Sequence, residues 1–297
     1  MAKEKYSSPK FQQKTLELIG KLNEVIEYFK SIDVYPLTLR QLYYQAVSRG
    51  YIPNNDSEYK KITTAISDAR MAGLIDWDAI EDRTRYTRSL NHWNDPSEII
   101  YSAARQYAHD KRIDQPFYVE AWIEKDALIG ILEPIANKYD VPCFSCRGYP
   151  SISALKEAAD RFKAQAYREG RIIIYAGDHD PSGIDIPRAI GESLRTFGAD
   201  VQIKRIGLTM EQVKKYNPPR NPAKLTDKRA AGYVKQYGSS SWELDALDPQ
   251  VLTQLFSSEI EALTDFDLFH KAEQHETAEK SMLYSVYQNW HRVVTNL

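Results

Sequence analysis

Hydrophobic positions recur at two different periods along this chain, and the change of period divides it. Between residues 9 and 31, Phe11, Leu16, Leu18, Ile19, Leu22, Val25, Ile26 and Phe29 fall at helical spacing. Tyr35-Pro36 breaks the pattern. A second helix is predicted from Thr38, where Gln41 three residues on fits a capping box, and it stops at Gly50. After the loop YIPNNDS, a third helix is predicted over about residues 57–72, with Gly73 just past its end. LIDWDAIEDRTRYTR then reads as a short strand with a loop or β-wing bearing Arg83, Arg85 and Arg88. NHWNDPSEIIYSAARQYAHDKRIDQP is helical and runs into a polar joint near residues 110–116.

Beyond that joint the period alternates. FYVEAWI, VPCFSC, RIIIYAGD and VQIKRIGL read as strands. The segments between them, DALIGILEPIANKYD, SISALKEAADRFKAQAYREG and GIDIPRAIGESLRTFGA, read as helices. Such alternation predicts a mostly parallel sheet covered by helices. The tail from SSSWELDALDPQ onward is mainly helical. The expected fold class is therefore mixed α/β, in two domains. Residues 1–112 form a winged helix-turn-helix, because three helices, a tight turn and a basic strand-loop segment follow one another. Residues 113–297 form the α/β domain with its helical tail. The third helix would expose Lys60, Lys61 and Thr64 opposite a face of Tyr59, Ile62, Ile66 and Ala69.

Composition changes this picture little. The chain has 297 residues and a net charge of −2, which argues against a general polyanion binder. Residues 1–112 hold 17 basic and 15 acidic side chains, the remainder 22 and 26. Nucleic acid, if bound, would meet local patches, and the acidic part would need metal ions to accept phosphate. No apolar run approaches the roughly 20 residues that span a bilayer. The N-terminal residues lack the apolar core of a secretory signal. A soluble cytoplasmic protein without membrane contact is expected. Cys143 and Cys146 form a lone CxxC with no second pair to complete a zinc site, so buried thiols at a strand end are expected.

The chemistry concentrates at predicted strand ends, where ligands of α/β sheets sit. Glu124 follows the first strand and Asp178 and Asp180 follow the third. Residues two apart on a strand point the same way, so Asp178 and Asp180 would project together if strand geometry persists. Three converging carboxylates need a divalent cation, and hard oxygen donors suit Mg²⁺, with Mn²⁺ as a substitute. Such a site performs phosphoryl chemistry, with a Glu placed to move a proton. Lys125 is a candidate phosphate contact. Glu120 competes with Glu124 as third ligand, Glu243 and Asp245 in WELDAL are further acids, and His179 is read as structural or DNA-facing.

The ordered set IEKDAL, RGYPS and GDHDPSGIDI resembles the Toprim domain of the topoisomerase VI A subunit and of the related meiotic double-strand-break transesterase. The segment LRQLYY resembles the part of the preceding winged helix that carries the nucleophilic tyrosine in that family. The resemblance spans about residues 35–265 and is greatest to the small free-standing A-like proteins of prokaryotes and mobile elements. It implies Mg²⁺-dependent cleavage of double-stranded DNA by a type IIB enzyme, a tyrosine linked to a 5′ phosphate, and a homodimer. It marks Tyr44 as nucleophile. Helix geometry agrees: Leu39, Leu42, Tyr43, Ala46 and Val47 share the apolar face, and Tyr44 lies with Arg40 and Ser48 on the polar side, where Arg40 would favour the phenolate. No glycine-rich nucleotide loop occurs, so ATP-driven strand passage would need a separate GHKL-type ATPase B subunit. Two other readings stand beside this one: a Toprim nuclease that hydrolyses DNA, and a non-catalytic DNA-binding or regulatory protein that keeps the metal site. The candidate DNA contacts are Lys60, Lys61, Arg83, Arg85, Arg88 and Lys125.

Overall fold

The computed structural model describes residues 3–32, 35–82, 90–224 and 226–295. The first half is built on three helices. Helix α1 (Gln13–Ser31) buries Ile19, Leu22, Val25, Ile26 and Phe29. Strand β1 (Leu37–Thr38) leads into α2 (Leu39–Ser48), whose capping box is present: the Thr38 side chain accepts from the Gln41 amide, and the Gln41 side chain accepts from the Thr38 amide. Helix α3 (Asp56–Met71) is capped by Asn55 and buries Ile62, Ile66 and Ala69 against the other two. The chain then returns as β2 (Ile80–Glu81), which pairs in parallel with β1. Arg83, Arg85 and Arg88 lie outside the described residues.

Helix α4 (Pro96–Gln106) starts with Asp95 as cap and a proline in its first turn. It ends well short of residue 116. Arg112, in the joint that follows, is buried and donates to Tyr139 O, Leu263 O and Thr264 Oγ1, so this joint is tied down by side-chain bonds rather than by a helix.

The second half carries β3 (Phe117–Ile123), α5 (Ile129–Lys138), β4 (Cys143–Ser145), α6 (Ile152–Ala164), β5 (Gly170–Ala176), α7 (Pro181–Thr196) and β6 (Gln202–Gly207). The four strands form one parallel sheet in the order β4-β3-β5-β6. Then come α8 (Met210–Tyr216), a small antiparallel pair β7 (Asn221–Pro222) and β8 (Ser240–Ser241) around α9 (Ala230–Tyr237), and the helices α10 (Pro249–Ala262), α11 (Phe266–Gln288) and α12 (Trp290–Thr295). Val119, Ala121 and Ile123 on β3, with Ile172, Ile174 and Ala176 on β5, meet residues of α5 and α10 on one face. Trp122, Ile173 and Tyr175 meet α6 and α7 on the other. A sheet covered on both faces explains why β3 and β5 are apolar almost throughout rather than alternating. Helix α4 packs on α11. Among the described residues, no helix is long and apolar enough to cross a membrane.

One register feature positions everything that follows. Ile123 pairs with Ala176, so β3 and β5 end level, and the residues just beyond them are neighbours.

Candidate active site

Glu124 and Asp178 meet at these level strand ends. The Glu124 amide donates to Ala176 O at 2.9 Å, and the Asp178 amide donates to Glu124 Oε2 at 2.8 Å. Close approach here requires glycine. A Cβ on Gly177 would lie 2.5 Å from Glu124 Oε2, and one on Gly183 would lie 2.3 Å from Asp178 O. The guanidinium of Arg205, on β6, donates to the carbonyls of Gly177, Asp178, Gly183 and Leu208 and holds the turn from outside. Sequence reasoning misses Arg205, whose one signal is its place near a strand end, between Lys204 and Ile206.

The two aspartates do not project together as strand neighbours. Strand β5 ends at Ala176, and Asp180 is the N-cap of α7, its Oδ1 accepting from the Gly183 amide at 2.6 Å and from Ser182 Oγ at 2.9 Å. Asp178 instead accepts the Leu244 amide on Oδ1 at 2.8 Å and faces Lys125 Nζ with Oδ2 at 3.2 Å. The segment holding Leu244 is brought in by the bridge between His179 and Trp242, so Glu243 and Asp245 enter the site from far along the chain.

Lys125 is the hub of this cluster. Its ammonium lies 2.6 Å from Glu243 Oε2 and 2.9 Å from Asp245 Oδ1, besides Asp178. Rather than reaching outward to phosphate, as its place in the sequence suggests, it is turned inward among three carboxylates. Tyr44 arrives from α2 and donates its phenol proton to Glu243 Oε2 at 2.6 Å. Arg40, one turn earlier, donates to Tyr44 Oη at 3.2 Å and lies 3.4 Å from both Glu243 and Asp245. Asn54 and Asn221 extend the chain of bonds to the other oxygen of Glu243. Arg40, Tyr44, Asp178, Asp180 and Glu243 all line one cavity of about 540 Å³ between the helical half and the sheet half.

Tyr44 differs from its expected setting in two ways. It is buried, not on an open polar face, because residues 243–245 cover it. Its neighbour Tyr43 is also buried but bonds only Asn54 and Asn55 within the helical half. The Tyr44 phenol is also held above its ordinary pKa, first by burial and then by Asp245 and Glu243, which outweigh Arg40. The expectation that Arg40 would favour the phenolate does not hold in this arrangement.

The carboxylates divide by environment. Burial works against the charge of Glu243, but Lys125, Tyr44 and Arg40 more than compensate, and its pKa falls to about 2. Burial, with Glu124 and Asp245 adding repulsion against Lys125, pushes Asp178 up to about 8. Glu124 and Asp245 are also raised, mainly by burial. Lys125 is held well above its ordinary range: burial opposes its charge, and Asp178, Asp245 and Glu243 outweigh burial.

The fit to a divalent cation can be judged from these groups. Five carboxylates (Glu124, Asp178, Asp180, Glu243, Asp245) stand beside three cations (Lys125, Arg40, Arg205), and burial with mutual repulsion raises the proton affinity of Glu124, Asp178 and Asp245; a divalent cation would take the place of those protons. Asp245 Oδ2 is buried and accepts no hydrogen bond, with Arg40 Nε 3.4 Å away as its ion-pair partner. The donors are all hard oxygens, so type and charge suit Mg²⁺. The expected convergence is incomplete, however: oxygens of Glu124, Asp178 and Asp180 do not gather within 4.8 Å of one another, because Asp180 caps α7 and Lys125 draws Asp178 toward Glu243.

The remaining candidates are placed as follows. Glu120 is excluded as a ligand: it lies four residues back from Glu124 along β3, on the face covered by α6, and is engaged by Arg161 at 2.9 Å, by Trp122 Nε1 and by Tyr118. His179 is buried, bonded to Tyr233 Oη at 2.8 Å and enclosed by Tyr237 and Trp242, so it is structural. Lys60 and Lys61 are exposed on α3, Lys61 beside Glu58. Both cysteines are reduced, Cys146 buried and Cys143 half-buried. No family model matches the chain, and no curated protein compared with it matches either.

Proposed function

We propose that the protein is a Mg²⁺-dependent, DNA-cleaving transesterase of the topoisomerase VI A-subunit type, with a winged helix in residues 1–112 and a Toprim-type domain in residues 113–297. The observation that carries this reading is Tyr44: a phenol from the helical half is seated 2.6 Å from an ionised carboxylate, on the same cavity as Asp178 and Asp180. In the proposed reaction Tyr44 Oη forms a bond to a DNA phosphorus and gives its proton to Glu243. The bond from phosphorus to the 3′ oxygen breaks, leaving the phosphate on the 5′ side joined to tyrosine. Glu124 would relay a proton from solvent to the departing 3′ oxygen. Arg40, already on the phenol oxygen, would bind the phosphate during attack. A Mg²⁺ or Mn²⁺ ion held by Glu124, Asp178 and Asp180 would neutralise charge developing on the phosphate.

Duplex DNA would lie along α3, where the exposed Lys60 and Lys61 would face phosphates, with Arg83, Arg85 and Arg88 beside them in the proposed wing. A homodimer would supply one tyrosine per strand, and a separate GHKL-type ATPase subunit would be needed for strand passage. Cytoplasmic residence goes with these partners.

One observation favours hydrolysis as a second reading. The raised pKa of Tyr44 makes its phenolate costly in this arrangement, and water could attack in its place. The test is incubation with supercoiled plasmid and Mg²⁺ or Mn²⁺, a detergent stop, and electrophoresis with and without proteinase. Transesterification predicts broken DNA that enters the gel normally only after proteinase. Free ends without proteinase support the nuclease, and binding with no breakage under either metal supports a regulatory protein.

A further inference from the structure

Away from the acidic cluster, the joint after α4 and the tail helix α11 bring together a different donor set. His109, His275 and Glu279 each offer one ligand atom, and the three atoms lie within 4.8 Å of one another, the only such group among the described residues. His275 and Glu279 are one turn apart on α11, so they project from the same face. His275 Nδ1 is 3.2 Å from Glu279 Oε2, and His109 Nδ1 is 3.8 Å from the same oxygen. The two rings are 4.7 Å apart between centroids. Two imidazole nitrogens and a carboxylate oxygen thus face a common point.

We infer that His109, His275 and Glu279 form a site for a divalent transition-metal ion, Zn²⁺ being the best match, which clamps α11 to the joint following α4. Metal bonds of about 2.0–2.1 Å place tetrahedral ligand atoms roughly 3.4 Å apart. The observed 3.2 and 3.8 Å bracket that spacing, so small side-chain rotations would complete the geometry. Two imidazoles and one carboxylate suit Zn²⁺ and disfavour Mg²⁺, which takes oxygen ligands. This separates the site from the acidic cluster by chemistry as well as by place. Three protein ligands leave a fourth position for water, and all three side chains are partly exposed, so an ion can enter.

The surroundings support the assignment. The Tyr107 phenol donates to Glu279 Oε2, the kind of outer hydrogen bond that orients a ligating carboxylate. The His109 amide donates to Glu276 at 3.1 Å, which fixes the backbone of the ligand from the joint. The nearby ammonium groups of Lys111 and Lys280 both pair with Glu276, at 3.0 and 2.6 Å, which directs their charge away from the bound ion.

The test uses the full chain in excess Mg²⁺. Zn²⁺ binding is measured by calorimetry, and Co²⁺ is used as a probe whose visible spectrum reports nitrogen coordination. One equivalent should bind, with a tetrahedral or five-coordinate Co²⁺ spectrum, and Zn²⁺ should raise the melting temperature. His109→Ala, His275→Ala and Glu279→Gln should each weaken binding at least tenfold. Glu279→Gln keeps the side-chain shape and guards against loss of fold, which circular dichroism checks in all three. Asp178→Asn should bind Zn²⁺ as the parent does, which separates this site from the acidic cluster. Absence of binding by the parent chain, or unchanged binding in the two histidine variants, overturns the inference.

Discussion

Asp178→Asn is the substitution that reads the electrostatics of the acidic cluster most directly. Asp178 is buried beside Glu124 and Asp245, Lys125 and the Leu244 amide offset them only in part, and its pKa is pushed from 3.8 to about 8. A tenfold change in proton affinity is worth about 1.4 kcal/mol. An affinity raised by about four powers of ten therefore sets an upper bound of roughly 5–6 kcal/mol on the cost of ionising Asp178 in the folded chain. Proton sharing with Glu124 and Asp245 lowers the working figure to the order of 2–3 kcal/mol. The sign follows from which state holds the proton. Between pH 4 and 8 the unfolded chain has lost it and the folded chain keeps it, so stability falls as pH rises through this window and levels off above the folded pKa. Asparagine can keep the bond from the Leu244 amide and removes the titration. With a chelator present, Asp178→Asn should match the parent near pH 4–5 and exceed it by about 2–3 kcal/mol at pH 8. Urea unfolding of both chains at half-unit steps of pH measures this. Mg²⁺ should reverse the order, stabilising the parent and leaving the variant unmoved. Parallel stability curves from pH 5 to 9 in chelator would refute the idea that Asp178 is held uncharged by its surroundings.

Other expectations are simpler. Gly183→Ala places a Cβ 2.3 Å from the Asp178 carbonyl, which cannot retreat from Arg205, so it should destabilise by about 3 kcal/mol or more and abolish metal-dependent stabilisation, read by thermal melts with and without Mg²⁺. Tyr43→Phe loses the bonds to Asn54 and Asn55 and should cost about 1 kcal/mol in urea unfolding, while leaving any cleavage activity in place. The double variant Lys60→Ala, Lys61→Ala should bind duplex DNA more weakly at every sequence and reduce the slope of log affinity against log salt by about two; an unchanged slope removes α3 from the DNA path.

Much of the fold is legible because local signals agree with tertiary ones. Thr38 and Gln41 specify the start of α2, and the apolar runs of β3 and β5 have no other use than a sheet covered on both faces. At the junction between β5 and α7 two local signals compete, and the strand reading picks the wrong one. Asp180-Pro181 is an N-cap followed by a first-turn proline, and it overrides strand alternation, which stops at Ala176. The setting of Tyr44 is not legible at all. Helical periodicity reports the face that packs within the helical half, whereas Tyr44 is covered by Glu243 and its neighbours, delivered by the backbone bridge from His179 to Trp242. The inward turn of Lys125 has the same origin, since two of its three carboxylate partners come from that segment.

Covalent trapping tests the central claim most directly. End-labelled duplex DNA is incubated with the parent chain, Tyr43→Phe or Tyr44→Phe in Mg²⁺ or Mn²⁺, stopped with detergent, and resolved for protein joined to a 5′ end. The account predicts an adduct with the parent chain and with Tyr43→Phe, and none with Tyr44→Phe, which loses only the hydroxyl that donates to Glu243. An adduct of full yield from a folded, DNA-binding Tyr44→Phe would contradict it.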